Sequence, residues 1–133
     1  MTPQAAEAFV DRYLRAIEAK DLAALDAIFD DALVQVEHPN ALSTRGSRND
    51  KATLLAGVEH GATLLSREHY TAEDVVVMGD RIACRLRWTA QLAMDLYGRP
   101  AGSLLEANLA MFMTVRGGRI VDLANYDCIA PPD

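Results

Sequence analysis

The sequence predicts an α+β fold, a curved antiparallel sheet wrapped around three N-terminal helices with an internal pocket between them. Three observations carry this. Helix-period apolar stripes fill the first half of the chain, and period-2 alternation fills the second. Glycine-bearing turns join the alternating runs into hairpins, and the longest hairpin pivots on Gly117-Gly118 between two runs rich in Val, Ile, Leu, Met, Phe and Tyr. Three helices cover one face of such a sheet, so the sheet is expected to curl around the first helix.

Thr2 before Pro3 is a cap and first-turn pair, and Phe9, Val10, Tyr13, Leu14 and Ile17 recur at helical spacing, which predicts a helix from Pro3 to Ala19. Lys20 ends it. Asp21 caps a shorter helix with Leu22, Leu25, Ile28 and Phe29 on its apolar face, ending at Asp30-Asp31. Ala32 to His38 alternates as a strand, with Val34, Val36 and His38 on one face, Leu33, Gln35 and Glu37 on the other, and Pro39 as its stop. Residues 40–49 read as a polar loop, and Asn49 caps a third helix carrying Leu54, Leu55, Val58, Ala62 and Leu65. Gly57 and Gly61 in that helix would admit a closely packed neighbour. Strands are expected from Tyr70 to Met78 and from Arg81 to Met94, around the turn Gly79-Asp80, with a further turn at residues 97–102 before the last hairpin.

A chain of 133 residues fits one ordinary domain, 1–133, with room for a sizeable core. The net charge of −6 leaves no basic stripe to neutralise phosphates, which argues against nucleic acid and for a small-molecule partner. Cys84 and Cys128 lie in apolar runs without metal-type spacing and read as free buried thiols, as suits the cytoplasm. The start lacks a signal-peptide pattern, and no run is long enough to span a bilayer. His60 and His69 have no partners at ligand spacing and no glycine-rich phosphate loop occurs, so neither metal nor cofactor is expected.

The order of elements, together with RYLRAIEAKDLAALDAIF at residues 12–29, Glu37-His38-Pro39, Arg87-Trp88-Thr89-Ala90 and Gly118-Arg119-Ile120-Val121 before Asn125-Tyr126-Asp127, resembles the NTF2-like superfamily, in its SnoaL-like and ketosteroid-isomerase-like branches. The resemblance spans nearly the whole chain and implies the cone-shaped fold of that superfamily. It implies no single reaction, since the fold hosts isomerases, cyclases, hydrolases, dehydratases and binding modules. By resemblance, Tyr13 stands where ketosteroid isomerases keep an oxyanion-donating tyrosine. His38 stands at their proton-shuttling aspartate if one residue is inserted before Pro39. Their second donor falls near Ala110, which donates nothing, so steroid isomerisation is not implied. Limonene-epoxide-hydrolase-like members use an Arg and two Asp residues where this chain has Arg87, Thr89 and Asn125, so that triad is not implied either.

The expected catalytic group is His38 as base, Asp127 orienting it or shuttling the proton, and Tyr13 with Asn125 stabilising an oxyanion. Arg87, Glu106, Asn108, Phe112 and Leu123 are expected to contact substrate. Hydrophobicity alone would turn Trp88 inward in place of Arg87, whereas family parity places Arg87 inside beside Glu106 or Asp127. Leu105, Leu109, Met111 and Met113 then lie on the far face with both cysteines, uncovered by any helix, which predicts a homodimer packed through the sheets. The expected function is proton transfer, as in an isomerase, cyclase or lyase, on an apolar carbonyl- or hydroxyl-bearing substrate; a module that only binds such a ligand is the alternative. The mechanism requires His38 and Asp127 on one side of the sheet. On opposite sides it fails and the binding module takes its place.

Overall fold

The computed structural model describes residues 1–132 and has three helices and a six-stranded, unclosed, mixed sheet. Helix α1 (Pro3–Ala19) opens on Thr2, whose Oγ1 accepts from the Ala5 N–H at 3.1 Å, and closes on Lys20 in the left-handed conformation (φ 54°). Helix α2 (Leu22–Ile28) opens on Asp21, whose carboxylate accepts from Ala24. Both starts follow the sequence. Strand β1 (Phe29–Glu37) then begins without a linker, three residues earlier than alternation suggested, because Phe29 and Leu33 are already buried in the core. After a loop comes β2 (Ser47–Asp50), then α3 (Lys51–Leu64), β3 (Leu65–Met78), β4 (Arg81–Leu92), β5 (Leu104–Arg116) and β6 (Arg119–Ile129).

The strands lie in the order β2-β1-β6-β5-β4-β3. The four long strands pair antiparallel through successive hairpins, while β1 joins β6 in parallel, a pairing only the connection through the helices allows. Strand β2 was not expected. Ser47, Arg48, Asn49 and Asp50 have no alternating hydrophobicity, and their pairing to β1 rests on backbone bonds and on Asn49 donating to Gln35 Oε1 at 2.7 Å. Asp50, not Asn49, caps α3, accepting from Thr53 at 2.8 Å.

The core sets Ala6, Phe9, Val10, Tyr13 and Leu14 of α1 against Ile82, Cys84 and Leu86 of β4 and Met111 and Met113 of β5. This corrects the expected faces. The side of β4 and β5 that carries Leu86, Trp88, Leu105, Met111 and Met113 faces the helices, and the side with Arg87, Glu106, Asn108 and Phe112 faces out. Burying Leu86, Leu105, Met111 and Met113 outweighs burying Arg87, which would lose its hydration for one carboxylate partner. Cys84 therefore lies in the core, while Cys128 is exposed on the outer face. Of the four residues expected to be uncovered, Met111 and Met113 are buried in the core with the helices, Leu109 is half-buried against it, and Leu105 is buried in a smaller cluster with Ala90 and Leu92 against Leu42, Leu65, Trp88 and Leu96.

Helix α3 packs loosely and has no fully buried residue. Its glycines are not close contacts: a Cβ on Gly57 would meet nothing within 4 Å, and one on Gly61 only Lys20 Nζ at 3.7 Å. The glycine face borders a hollow of about 380 Å³ between α1, α3, β1 and β3.

Candidate functional site

The inner face of the sheet carries a row of side chains in register across four strands. Tyr70 on β3 pairs with Trp88 on β4, Trp88 with Ala107 on β5, and Ala107 with Ile129 on β6. Leu109 and Asp127 form the next pair along β5 and β6. Since i and i+2 share a face of a strand, Asp127 points inward with Leu123 and Asn125, and Glu37 with Leu33 and Gln35. Glu37, Asp127 and the row from Tyr70 to Ile129 with Leu109, together with Asn40, Leu42 and Ser43 of the loop after β1 and Tyr97 of the loop before β5, line a cavity of about 420 Å³. That volume lies within the roughly 300–1,000 Å³ common for small-molecule sites. Glu37 and Tyr70 also line the hollow under α3, so they stand between the two spaces.

Asp127 is perturbed by its surroundings. Burial, and then the neighbouring Glu37 carboxylate, push its carboxyl up to about 6. Its buried Oδ1 has no hydrogen-bond partner among the described residues. Glu37 is held in place by Asn40 Nδ2 and Ser47 Oγ, each donating at 3.3 Å to a different carboxylate oxygen. Burial raises the phenol of Tyr70 well above its ordinary value, so it acts only as a neutral hydroxyl. Behind Trp88, whose indole N–H donates to Glu68 Oε2 at 2.9 Å, Lys20 pairs with the other oxygen of Glu68. That ion pair is largely buried, borders the hollow under α3 and leaves Lys20 engaged with Glu68 rather than with the cavity.

The four residues expected to catalyse do not converge. His38 lies on the outer face, its ring stacked at 4.1 Å on Tyr126, which meets Phe112 edge-on. It is thus across the sheet from Asp127, and the mechanism built on the two together fails. Tyr13 is packed in the core against Phe29, 5.8 Å between ring centroids, and does not line the 420 Å³ cavity. Asn125 faces inward, but its Oδ1 accepts from Gln35 Nε2 at 3.0 Å, which completes an amide chain from Asn49 through Gln35. Of the five expected substrate contacts, Leu123 is buried in the core, Arg87 and Glu106 pair with each other in solvent at 3.4 Å, and Asn108 and Phe112 are exposed on the outer face. None of the five lines this cavity. Glu37, Tyr70, Trp88 and Tyr97 do, and sequence reasoning did not select them. Glu37 adjoins His38 in the quoted motif, so one step of strand parity separates the residue chosen from the one inside.

The described residues include no group of three or more His, Cys, Asp or Glu arranged to hold a metal ion. Among the described residues no helix is long and apolar enough to cross a membrane.

A family model described as a SnoaL-like domain matches residues 10–123. No protein of curated function matches the chain in sequence. Among solved structures, the chain is similar to IdmH of Streptomyces antibioticus, a proposed polyketide cyclase, at 20% identity and TM-score 0.78, over 92% of this chain and 91% of that one. It is also similar to AclR of Streptomyces galilaeus, a proposed hydroxylase, at 16% identity and TM-score 0.76, over 95% and 90%. A protein of ketosteroid isomerase-like fold from Catenulispora acidiphila, solved in complex with trimethylamine, matches at 16% identity and TM-score 0.72, over 89% and 83%. At these identities the structural likeness establishes the fold.

Proposed function

The chain belongs to the SnoaL-like domain family, and we propose from that premise that it is a small-molecule enzyme whose inner carboxyl pair moves a proton on a carbonyl- or hydroxyl-bearing substrate. The observation that carries this reading is Asp127, an inward carboxyl raised to about 6 beside Glu37 at the wall of the 420 Å³ cavity. A base with a midpoint near the working pH is largely ionised and still returns its proton readily. Asp127 takes a proton from the carbon next to a substrate carbonyl, or from a hydroxyl, and gives it back at a second position. Tyr70, a neutral phenol on the same wall, is the donor for the oxygen that gains charge. Proton transfer of this kind serves an isomerisation, a cyclisation or an elimination.

The mechanism built on His38 fails, which by itself would leave a binding module; the Glu37–Asp127 pair, not weighed from the sequence, is the ground for the enzyme, with the base role passing to Asp127. A module that binds without turnover is the second reading, and the Catenulispora acidiphila protein gives one instance of the fold holding a small ligand. Deuterium uptake from heavy water into enolisable ketones and β-dicarbonyl compounds, followed by proton NMR, separates the two readings. Acceleration that titrates near pH 6 and drops on the order of a hundredfold or more in Asp127→Asn supports the enzyme. Exchange no faster than buffer across the set leaves the binding module, and acceleration undiminished in Asp127→Asn removes Asp127 as the base.

A further inference from the structure

The charges lining the cavity are all of one sign. Glu37 and Asp127 face it, and no lysine, arginine or histidine lines it among the described residues. Several cations elsewhere are engaged: Lys20 with Glu68, Lys51 with Asp26 and Asp31, and Arg85, Arg87 and Arg116 with acids in solvent, while Arg99, in the loop of Tyr97, donates to the Ala130 carbonyl at 3.3 Å. A partly desolvated carboxyl pair without a counter-charge is unfavourable, and a cation supplied from outside relieves it. The rest of the wall suits such a cation. Tyr70 and Trp88 sit side by side across β3 and β4, and Tyr97 stands at the rim, in a loop that holds it in the left-handed conformation (φ 56°). Aromatic faces attract ammonium groups through their negative quadrupoles, most strongly where water is excluded. Leu42, Leu109 and Ile129 complete an apolar lining that would accept the methyl groups of an alkylated amine.

From this arrangement we infer that the ligand of the cavity carries a basic nitrogen, a protonated or quaternary amine seated between the Glu37–Asp127 pair and the rings of Tyr70, Trp88 and Tyr97. The inference rests on the cavity proposed above as the site, and it narrows the substrate to amine-bearing small molecules. The groups that face Asp127 are Glu37 from β1 and Tyr70 from β3, with Glu68 shielded behind Trp88 by Lys20. A bound cation therefore favours the doubly ionised pair and should expel protons as it binds at mildly acidic pH.

The test uses choline and its neutral carbon isostere, 3,3-dimethylbutan-1-ol, with wild-type protein and ligand-observed NMR. Choline should bind at least about tenfold more tightly than the isostere at pH 7.5. Its affinity should fall several-fold at pH 5 while that of the isostere stays constant. Asp127→Asn and Tyr97→Ala should each bring choline toward the isostere. Equal affinities, preference for the isostere, or binding of neither would overturn the inference. Deuterium exchange into neutral ketones is scored separately: exchange without choline preference removes the amine and keeps the proton-transfer reading. Choline preference without exchange does the reverse. Because the isostere comparison needs no variant, a variant that misfolds does not obscure the result.

Discussion

Asp127→Asn keeps the shape of the side chain and removes its charge, which makes it a direct probe of what the cavity does to a carboxylate. The native midpoint of about 6 lies above the ordinary 3.8, so the folded state holds this proton more tightly than the unfolded chain does. The stability that follows is fully present below about pH 3.8 and lost as pH rises through about 6. At pH 8 the wild-type protein thus carries an ionised, poorly solvated group that the variant lacks. Each unit of displacement is worth about 1.4 kcal/mol, which gives about 3 kcal/mol, and screening at a partly solvated site reduces this to about 1–2 kcal/mol. Asp127→Asn should therefore be more stable than wild type by about that amount at pH 8, roughly 3–8 °C in midpoint, and equal to it at pH 3.5. Thermal unfolding followed by circular dichroism across this range reads the difference directly. A variant less stable than wild type at pH 8, or a difference independent of pH, would refute the reasoning. Gain of stability with loss of turnover is the signature of a strained functional group.

Three further outcomes follow from the fold. Gly57→Ala meets only open space and should raise stability by about 0.5–1 kcal/mol in calorimetry, whereas a loss would mean the hollow under α3 is filled. Iodoacetamide should modify exposed Cys128 in the native protein and spare Cys84, which burial pushes up to about 12, with ligand binding unchanged; mass spectrometry of the native protein showing label on Cys84 would contradict its place in the core. A homodimer is still expected, but through the outer face, where Leu104, Phe112 and Tyr126 are exposed; light scattering at micromolar concentration should give twice the chain mass, and Phe112→Asp should halve it.

The starts of the first two helices, the hairpins and the α+β class were legible because each rests on local chemistry: Thr2 and Asp21 as caps, Gly79 and Gly117-Gly118 at positive φ. Strand β2 and the parallel pairing of β1 with β6 were not, since the first has no apolar period and the second joins segments about 90 residues apart. The site was half legible. Asp127 was selected and does face the cavity, but its partner was misjudged, because on β1 the valines Val34 and Val36 point outward with His38 while Gln35 and Glu37 point in. A strand that lines a polar cavity inverts the usual alternation, and hydrophobicity then indicates the wrong face. On β4 and β5 the error ran the other way. There hydrophobicity alone would have turned Trp88 inward, where it lies, and parity taken from the family resemblance placed Arg87 inside.

The account depends on Glu37 and Asp127 acting as one desolvated pair in the cavity. Carbon-13 NMR of the side-chain carboxyls, titrated from pH 3 to 9, tests this most directly. Asp127 should titrate near 6 in the wild-type protein and move part of the way back toward the ordinary range in Glu37→Gln, with the remainder held by burial. An Asp127 carboxyl that titrates near 4 and ignores Glu37→Gln would contradict the account.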